Sequence, residues 1–451
     1  MSSPTVELPC GRSAIPQLKD LKFLERAENS GVIINRLTGA WFGGDREEIR
    51  NIFDSIEDGI KEPTSLSKKA LSAINQSELI SAEISKPIFR PHLAVIHVGH
   101  VCNIDCTYCY APKDKGAMSL EVMENITNII GEFKHPVFVQ FMGGEPLIYL
   151  KQIEMLIKLL NEKRQGFETT YGIQTNGLFL LDDGVLDFLK KYKIRFGISY
   201  DGPGAMSDAR FESRVEKLQN KTELIIRELK AKNYEFGILA VLNRSNKSNL
   251  PALLDWCLER GINSLLVNPL LLGQGKGSFH ALSDEEATSS MRQLFRYWVD
   301  NKLYKKISIE NFQAFEDNIT NTARPYMCRK QSCGAGREQL AFDVNGDLYP
   351  CDYLVGESMF NLGNSSKLSS KEIEHSVHMR SLHEQVRPNK LKDCKECPLF
   401  AFCGNCMASS YFRDGSLNGR RGSCHTDYSV IEDVIFELLL NKEYRNHVIS
   451  R

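Results

Sequence analysis

Thirteen cysteines in 451 residues fall in a pattern that points to metal chemistry. Cys102-x3-Cys106-x2-Cys109 sets three thiols on one short stretch, and Cys328, Cys333, Cys351, Cys394, Cys397, Cys403, Cys406 and Cys424 set eight more toward the C-terminus. Thiolates are soft ligands suited to zinc and to iron–sulfur clusters. Three of them on one loop can hold three irons of a four-iron cluster, leaving the fourth iron open as a Lewis acid for a chelating small molecule. Zinc is the competing ligand, but it normally takes four donors, and no His or fourth Cys lies between Cys102 and Cys109. The eight later thiols divide into two four-thiolate sites, which two structural zinc ribbons would satisfy as well as two clusters. Cys10 stands alone and has no assigned role. Cys257, in Leu253-Leu254-Asp255-Trp256-Cys257-Leu258, reads as a small buried hydrophobe.

The elements that position these cysteines follow from hydrophobic period. From about Pro91 to Asn268, candidate strands Leu93–Val98, Val137–Met142, Tyr171–Thr175, Ile194–Ser199, Phe236–Leu242 and Ser264–Asn268 alternate with helical stretches. These helices are Ser119–Phe133, Leu150–Lys163, Val215–Lys232 and Leu250–Arg260. Such alternation implies βαβ units and a parallel sheet. Six units are too few for a closed eight-stranded barrel, so an α/β partial barrel is expected. Before it, Val32–Asn35 and Ala40–Phe42 read as strands, followed by a helix bearing Ile49, Ile52, Phe53, Ile56 and Ile60, with Asp45 as its cap. After it, helices near Asp284–Lys302 and Asn311–Thr320 lead to the second cysteine group, where Asp343–Pro350 reads as a hairpin turning at Asn345-Gly346. The expected domains are 1–90, a small α+β segment; 91–305, the partial barrel; and 306–451, a bridging helix with the cysteine-rich domain.

Charge and hydropathy narrow the function classes. Lys plus Arg total 56 and Asp plus Glu 57, a net charge of −1, which argues against a nucleic-acid partner. No apolar run approaches the ~20 residues that span a bilayer, and the first ten residues lack the pattern of a signal peptide. A cytoplasmic protein without a membrane partner is expected. In that reducing compartment clustered thiols point to metal or redox chemistry, not disulfides.

The stretch His97-Val98-Gly99-His100-Val101-Cys102-Asn103-Ile104-Asp105-Cys106-Thr107-Tyr108-Cys109 resembles the signature loop of radical S-adenosylmethionine (SAM) enzymes, including the aromatic Tyr108 before the third cysteine. Met142-Gly143-Gly144-Glu145-Pro146 resembles the family motif that holds the methionine amino group, with Met142 where relatives often carry Gln. Two glycines there permit close backbone approach to a ligand, and Glu145 can accept from an ammonium. Gln174-Thr175-Asn176-Gly177 and Gly197-Ile198-Ser199-Tyr200-Asp201-Gly202-Pro203 close the next two strands, and Ser199 resembles the residue that contacts the ribose. All four motifs fall at strand C-termini, where parallel α/β sheets bind ligands. The resemblance implies a partial (β/α)6 barrel of radical SAM type. A cluster on Cys102, Cys106 and Cys109 would bind SAM, with Tyr108, Gly143, Gly144, Glu145 and Ser199 around the cofactor.

Cys328 to Cys424 resembles the SPASM domain, whose members hold two auxiliary four-iron clusters, three clusters in all. The resemblance assigns Cys328, Cys333, Cys351 and Cys406 to one auxiliary cluster and Cys394, Cys397, Cys403 and Cys424 to the other. The family usually has three residues between the last two cysteines of the central run; here Gly404-Asn405 gives two. Asp352, beside Cys351, matches the Asp that takes a substrate proton in sulfatase-maturing enzymes; a carboxylate next to an anionic cluster would have a raised pKa suited to a general base. The function implied is a peptide maturase that abstracts hydrogen and installs a thioether or carbon–carbon cross-link in a ribosomally made peptide. Its expected partners are a precursor peptide or protein substrate and an electron donor such as flavodoxin or ferredoxin. A sulfatase maturase making formylglycine from Cys or Ser is the alternative, and a non-enzymatic zinc or iron–sulfur scaffold is a third. The N-terminal strands and helix resemble part of a leader-peptide recognition module, whose edge strand would recruit a peptide by strand addition.

Overall fold

The computed structural model describes residues 20–26, 29–58, 64–74, 89–109, 111, 116–211, 215–270, 278–321, 326–330, 333–387 and 390–451. Cys10 and Ile60, the last residue expected on the first helix, lie outside them. Near the N-terminus β1 (Leu21–Arg26), β2 (Ser30–Asn35) and β3 (Trp41–Asp45) form an antiparallel sheet in the order β1-β2-β3. Sequence reading found β2 and β3 but not β1, whose Leu-Lys-Phe-Leu-Glu-Arg lacks the alternation that marks a half-buried strand. Asp45 caps α1 (Arg46–Glu57), its carboxylate accepting from the backbone of Glu47 and Glu48. A carboxylate at that end satisfies orphan N–H groups and complements the helix dipole. Ile49, Ile52 and Ile56 of α1 pack with Leu21, Ile33 and Phe42 of the sheet and with Ala70 and Ile74 of α2 (Ser65–Ile74). The pleat sends Val32, Ile34 and Trp41 to the opposite face, where they join the main core.

The main sheet has ten strands. Its parallel part comprises β4 (Leu93–Gly99), β5 (Val137–Gly143), β6 (Thr169–Thr175), β7 (Arg195–Ser199), β8 (Gly237–Leu242), β9 (Ser264–Pro269) and a short β10 (Ser308–Ile309). The crossovers run through α3 (Leu120–Gly131), α4 (Leu150–Lys163), α5 (Val185–Lys191), α6 (Val215–Ala231), α7 (Leu250–Glu259) and, before β10, α8 (Asp284–Asp300). The six expected strands therefore occur with ends shifted by at most two residues. Buried strands of a parallel sheet are nearly continuous apolar runs, and these are easy to see in sequence. Cys257, on α7, is fully buried as expected.

The sheet also continues past the barrel. After α9 (Glu310–Thr320), β11 (Gln339–Phe342) pairs in parallel with β4, in the register Gln339↔Leu93 to Phe342↔Ile96. β12 (Asp347–Tyr349) and β13 (Gly363–Asn364) extend it antiparallel, so the order is β10-β9-β8-β7-β6-β5-β4-β11-β12-β13. The β11–β12 turn holds Gly346 at φ 84°, as the Asn-Gly pair implied. Then come α10 (Val377–Gln385), α11 (Met407–Asp414), α12 (Cys424–Leu440) and α13 (Lys442–Ser450). α12 packs along α8, and its buried Asp433 meets Arg292 at 2.8 Å and Arg296 at 3.1 Å from α8, and Arg26 from β1. Among the described residues no helix is long and apolar enough to cross a membrane.

Candidate functional site

The loop carrying Cys102, Cys106 and Cys109 leaves the C-terminal end of β4 and is fastened by the ends of its neighbours. From the β5 end, Gly144 N donates to Gly99 O at 2.9 Å and Glu145 N to Val101 O at 2.9 Å, while the Tyr149 hydroxyl accepts from Val101 N at 2.9 Å. From the β6 end, Asn176 Nδ2 donates to Asn103 Oδ1 at 2.7 Å. Past β7, Ala209 O accepts from both the backbone and the hydroxyl of Thr107 at 2.9 Å, and Thr107 also meets His280 at 2.7 Å. The three cysteines are half-buried on this loop. Burial, opposed by Arg210 and reinforced by Cys109, pushes the Cys106 thiol up to about 12.

The glycine pair does something other than expected. A Cβ on Gly143, at φ 128°, would lie 2.0 Å from Gly99 O, and one on Gly144 would lie 2.3 Å from Val101 O. The close approach these glycines permit is that of the cysteine loop itself. Glu145 is buried, and its carboxylate accepts from Leu147 N (3.1 Å) and Thr175 Oγ1 (2.6 Å) on one oxygen and Asn176 N (2.9 Å) on the other. Burial raises its pKa, against the lowering effect of those three bonds. It thus clamps the β5 end to the β6 end, and one carboxylate oxygen retains acceptor capacity for an ammonium. Ser199 Oγ accepts from Gln174 Nε2 at 2.9 Å, so those two motifs are tied as well. Met142, in the position where a polar residue is common, packs against the C-terminal core that includes Cys351 and Leu354.

Tyr108 is buried, and its hydroxyl donates to Asp201 Oδ2 at 2.6 Å. Asp201 Oδ1 also accepts from Arg210 Nη2 at 2.9 Å and Val241 N at 2.9 Å. The Tyr108 side chain therefore anchors the cysteine loop to the β7 end. Neither Asp201 nor Arg210 was singled out from sequence; the signal was Asp201-Gly202-Pro203, read only as a strand-closing turn.

Asp352 faces the barrel. Its Oδ1 lies 2.6 Å from His97 Nε2 on β4, and the His97 ring sits edge-on to His100 at 6.0 Å between centroids. His100 Nε2 pairs with Asp343 Oδ1 at 2.8 Å. Two buried His–carboxylate pairs thus join the strand feeding the cysteine loop to the hairpin feeding Cys351. Local pattern could not reveal them, because each pair spans more than two hundred residues of chain.

The eight C-terminal thiols form two sets. Cys328 lies exposed at the surface, yet partial desolvation of its sulfur, then Cys406 and Cys333, raise its pKa. Cys351 stands well above the usual thiol range through burial and then Cys406, Cys328 and Cys333, and Cys333 is raised by burial and Cys406. Cys394 reaches about 12 through burial, Cys397 and Cys424, and Cys403 about 12 through burial, with Arg421 opposing and Cys424 adding. Proximity thus groups Cys328, Cys333, Cys351 and Cys406, and separately Cys394, Cys397, Cys403 and Cys424. The short Gly404-Asn405 spacer has a steric reason: Gly404, at φ 72°, would place a Cβ 2.6 Å from the Arg329 backbone, so the Cys328–Lys330 segment passes directly over it. Among the described residues, no three thiols bring their sulfurs within 4.8 Å of one another; the trio that does offer ligand atoms so close is His97, His100 and Asp343.

Fold and site together define a radical SAM enzyme with a SPASM domain. Residues 96–257 match the model of the radical SAM superfamily and residues 333–398 match that of the SPASM iron–sulfur cluster-binding domain, so the chain carries both domains. A serine-type anaerobic sulfatase-maturating enzyme of Bacteroides thetaiotaomicron is 26% identical over 369 residues, 74% of this chain and 85% of that one. Among solved structures, native anSMEcpe with bound AdoMet superposes with a TM-score of 0.67 at 23% identity, covering 78% of this chain and 99% of the other. Streptococcus suis SuiB bound to precursor peptide SuiA gives a TM-score of 0.56 at 18% identity, covering 90% and 98%.

Proposed function

We propose that this radical SAM enzyme is a maturase that acts on a ribosomally made peptide and installs a thioether or carbon–carbon cross-link. The observation that carries this is the N-terminal sheet with α1 and α2, built into the body through Val32, Ile34 and Trp41. Its β1 and β3 are edge strands, and such an edge can take up an extended peptide. The SuiB fold, whose structure contains a precursor peptide, covers 90% of this chain, against 78% for the sulfatase maturase.

In this proposal Cys102, Cys106 and Cys109 hold a four-iron cluster with an open iron for SAM, and the two C-terminal sets hold one each, about twelve irons in all. Held there, a cluster and SAM would supply radical hydrogen-abstraction chemistry. The chain's own part is orientation. Glu145 would receive the methionine ammonium and Ser199 would lie against the ribose, while Gly143, Gly144 and the Tyr108 anchor fix the loop whose cysteines would hold the cluster. Asp352 takes the substrate proton on its carboxylate while His97 holds that carboxylate in place. A cavity of about 260 Å³ lies between the β8 and β9 ends (Leu242, Val267, Pro269) and α11 and α12 (Phe412, Thr426, Val430), with room for substrate side chains. A flavodoxin- or ferredoxin-type donor supplies electrons.

The sulfatase-maturase reading is favoured by Asp352 and by the Bacteroides relative. Mass spectrometry after anaerobic turnover with a peptide encoded beside the gene separates the two. A cross-link loses two hydrogens and gives no aldehyde. Formylglycine from Cys exchanges sulfur for oxygen with loss of two hydrogens, and formylglycine from Ser loses two hydrogens; both react with a hydrazine probe. A hydrazine-reactive product would sink the cross-linking proposal.

A further inference from the structure

Two arginines and one aspartate lie buried where the two C-terminal thiol sets meet. Arg329 follows Cys328 of the first set in sequence, and its Nη1 lies 2.8 Å from Asp427 Oδ2. Asp427 is one turn beyond Cys424 of the second set, and the same oxygen accepts from Ser423 at 2.7 Å and lies 3.1 Å from Arg421 Nε. Arg421 Nη1 in turn donates to the carbonyl of Cys403, again of the second set, at 3.1 Å, and approaches that of Gly404 at 3.5 Å. The side chains of Arg329, Asp427 and Arg421 are 14%, 5% and 11% exposed. Gly404 completes the arrangement by letting the Arg329 backbone lie against the segment between Cys403 and Cys406, which supply one thiol to each set.

The triad carries one net positive charge. A buried ion triad of this kind is no gain for stability by itself, since desolvation consumes most of its attraction. Its position offers a different use. A cluster held by four thiolates is net negative and becomes more so on reduction, and nearby charge and hydrogen bonds set its potential.

We propose that the Arg329–Asp427–Arg421 triad is the shared electrostatic bridge of the two auxiliary clusters, with Arg421 setting both potentials together so that an electron passes between them with little loss. Arg421 is here a positioning residue: it touches no reacting atom and acts through the clusters. A cation between two negative clusters favours the reduced form of each and screens one from the other. The inference rests on the proposal that both thiol sets hold four-iron clusters, and iron and zinc content of the unaltered, reconstituted full-length protein tests that separately.

The experiment is an anaerobic redox titration followed by electron paramagnetic resonance, on the unaltered protein and on Arg421→Gln, Arg421→Lys and Asp427→Asn, with iron counted in each. Arg421→Gln should shift both auxiliary potentials negative, each by about a tenfold change in the oxidised-to-reduced ratio, which is about 59 mV for one electron. Asp427→Asn should shift both positive, Arg421→Lys should keep most of the original value, and the cluster on Cys102, Cys106 and Cys109 should not move. Shifts of the same sign in Arg421→Gln and Asp427→Asn, a shift in one auxiliary cluster only, or unchanged potentials at full iron content would overturn the inference. If Arg421→Gln fails to hold iron, Arg421→Lys and Asp427→Asn decide by the same criteria. Iron loss in all three would show a purely structural triad and overturn it too.

Discussion

Replacing Gly144 by Ala perturbs the site by one methyl group. The added Cβ would lie 2.3 Å from Val101 O, 2.6 Å from His100 O and 2.6 Å from Val101 C, all backbone atoms with no side-chain freedom to yield. Restoring an ordinary contact of about 3.5 Å needs a relative shift of about 1 Å. The shift cannot be absorbed by rotation, because backbone bonds on both sides, Gly144 N to Gly99 O and Glu145 N to Val101 O, hold the two segments in register. The cysteine loop must therefore move. Overpacking of this kind costs about 1–3 kcal/mol, and a displacement of about 1 Å at a reacting centre costs on the order of 10²-fold in rate. Gly144→Ala should therefore cleave SAM, measured anaerobically as 5′-deoxyadenosine, about a hundredfold more slowly, with auxiliary-cluster absorption intact. Gly116→Ala is the control: among the described residues nothing lies within 4 Å of its Cβ, so its rate should be unchanged. A Gly144→Ala protein that cleaves SAM at the original rate would refute the account of the paired glycines.

Three further outcomes follow from the geometry. Asp352→Asn keeps the contact with His97 but cannot accept a proton; product should fall about 10²–10⁴-fold while 5′-deoxyadenosine still forms, and an unchanged product rate would remove Asp352 from the mechanism. Changing Cys102, Cys106 and Cys109 together to Ala should abolish SAM cleavage and remove about a third of the iron, and retained cleavage would place the catalytic cluster elsewhere. Asp433→Asn leaves Arg26, Arg292 and Arg296 without their carboxylate and should cost about 3 kcal/mol, the low end for a broken buried pair because Arg292 and Arg296 are partly solvated. Although burial pushes the Asp433 carboxyl up, Arg292 and Arg26 outweigh it and hold the group below the usual range. Its stabilisation is thus complete above the unfolded carboxyl pKa of about 4 and is lost as pH falls through the lower folded value. Urea midpoints should show the same deficit at pH 6 and pH 8, narrowing only below about pH 4.

What the sequence makes legible is local. β4 to β9 are apolar runs closed by turn residues, and α1 announces itself by Asp45 and the spacing of Ile49, Ile52 and Ile56. The cysteine spacings and the strand-end motifs likewise survive into the structure as one continuous loop cluster. β1 was missed because Leu21–Arg26 shows no clean period of two, and β10 because two residues carry no period at all. Pairings across long separations were equally out of reach. Nothing near Gln339 says that it will lie beside Leu93, nothing near Asp352 names His97, and the clamp role of Glu145 depends on two loops that meet only in space.

The pairing of β4 with β11 also bears on how the protein comes to exist. Leu93 and its partner Gln339 are 246 residues apart, so the edge of the first barrel strand stays unpaired while the remainder of the barrel is translated. At about 5–20 residues per second that interval is roughly 12–50 s, long for an exposed strand edge flanking a thiol-rich loop. Contacts of such separation slow folding and invite misassembly. Efficient production should therefore depend on whatever shields the nascent barrel until its last partner arrives, and chaperone co-expression should raise soluble yield more than extra iron does.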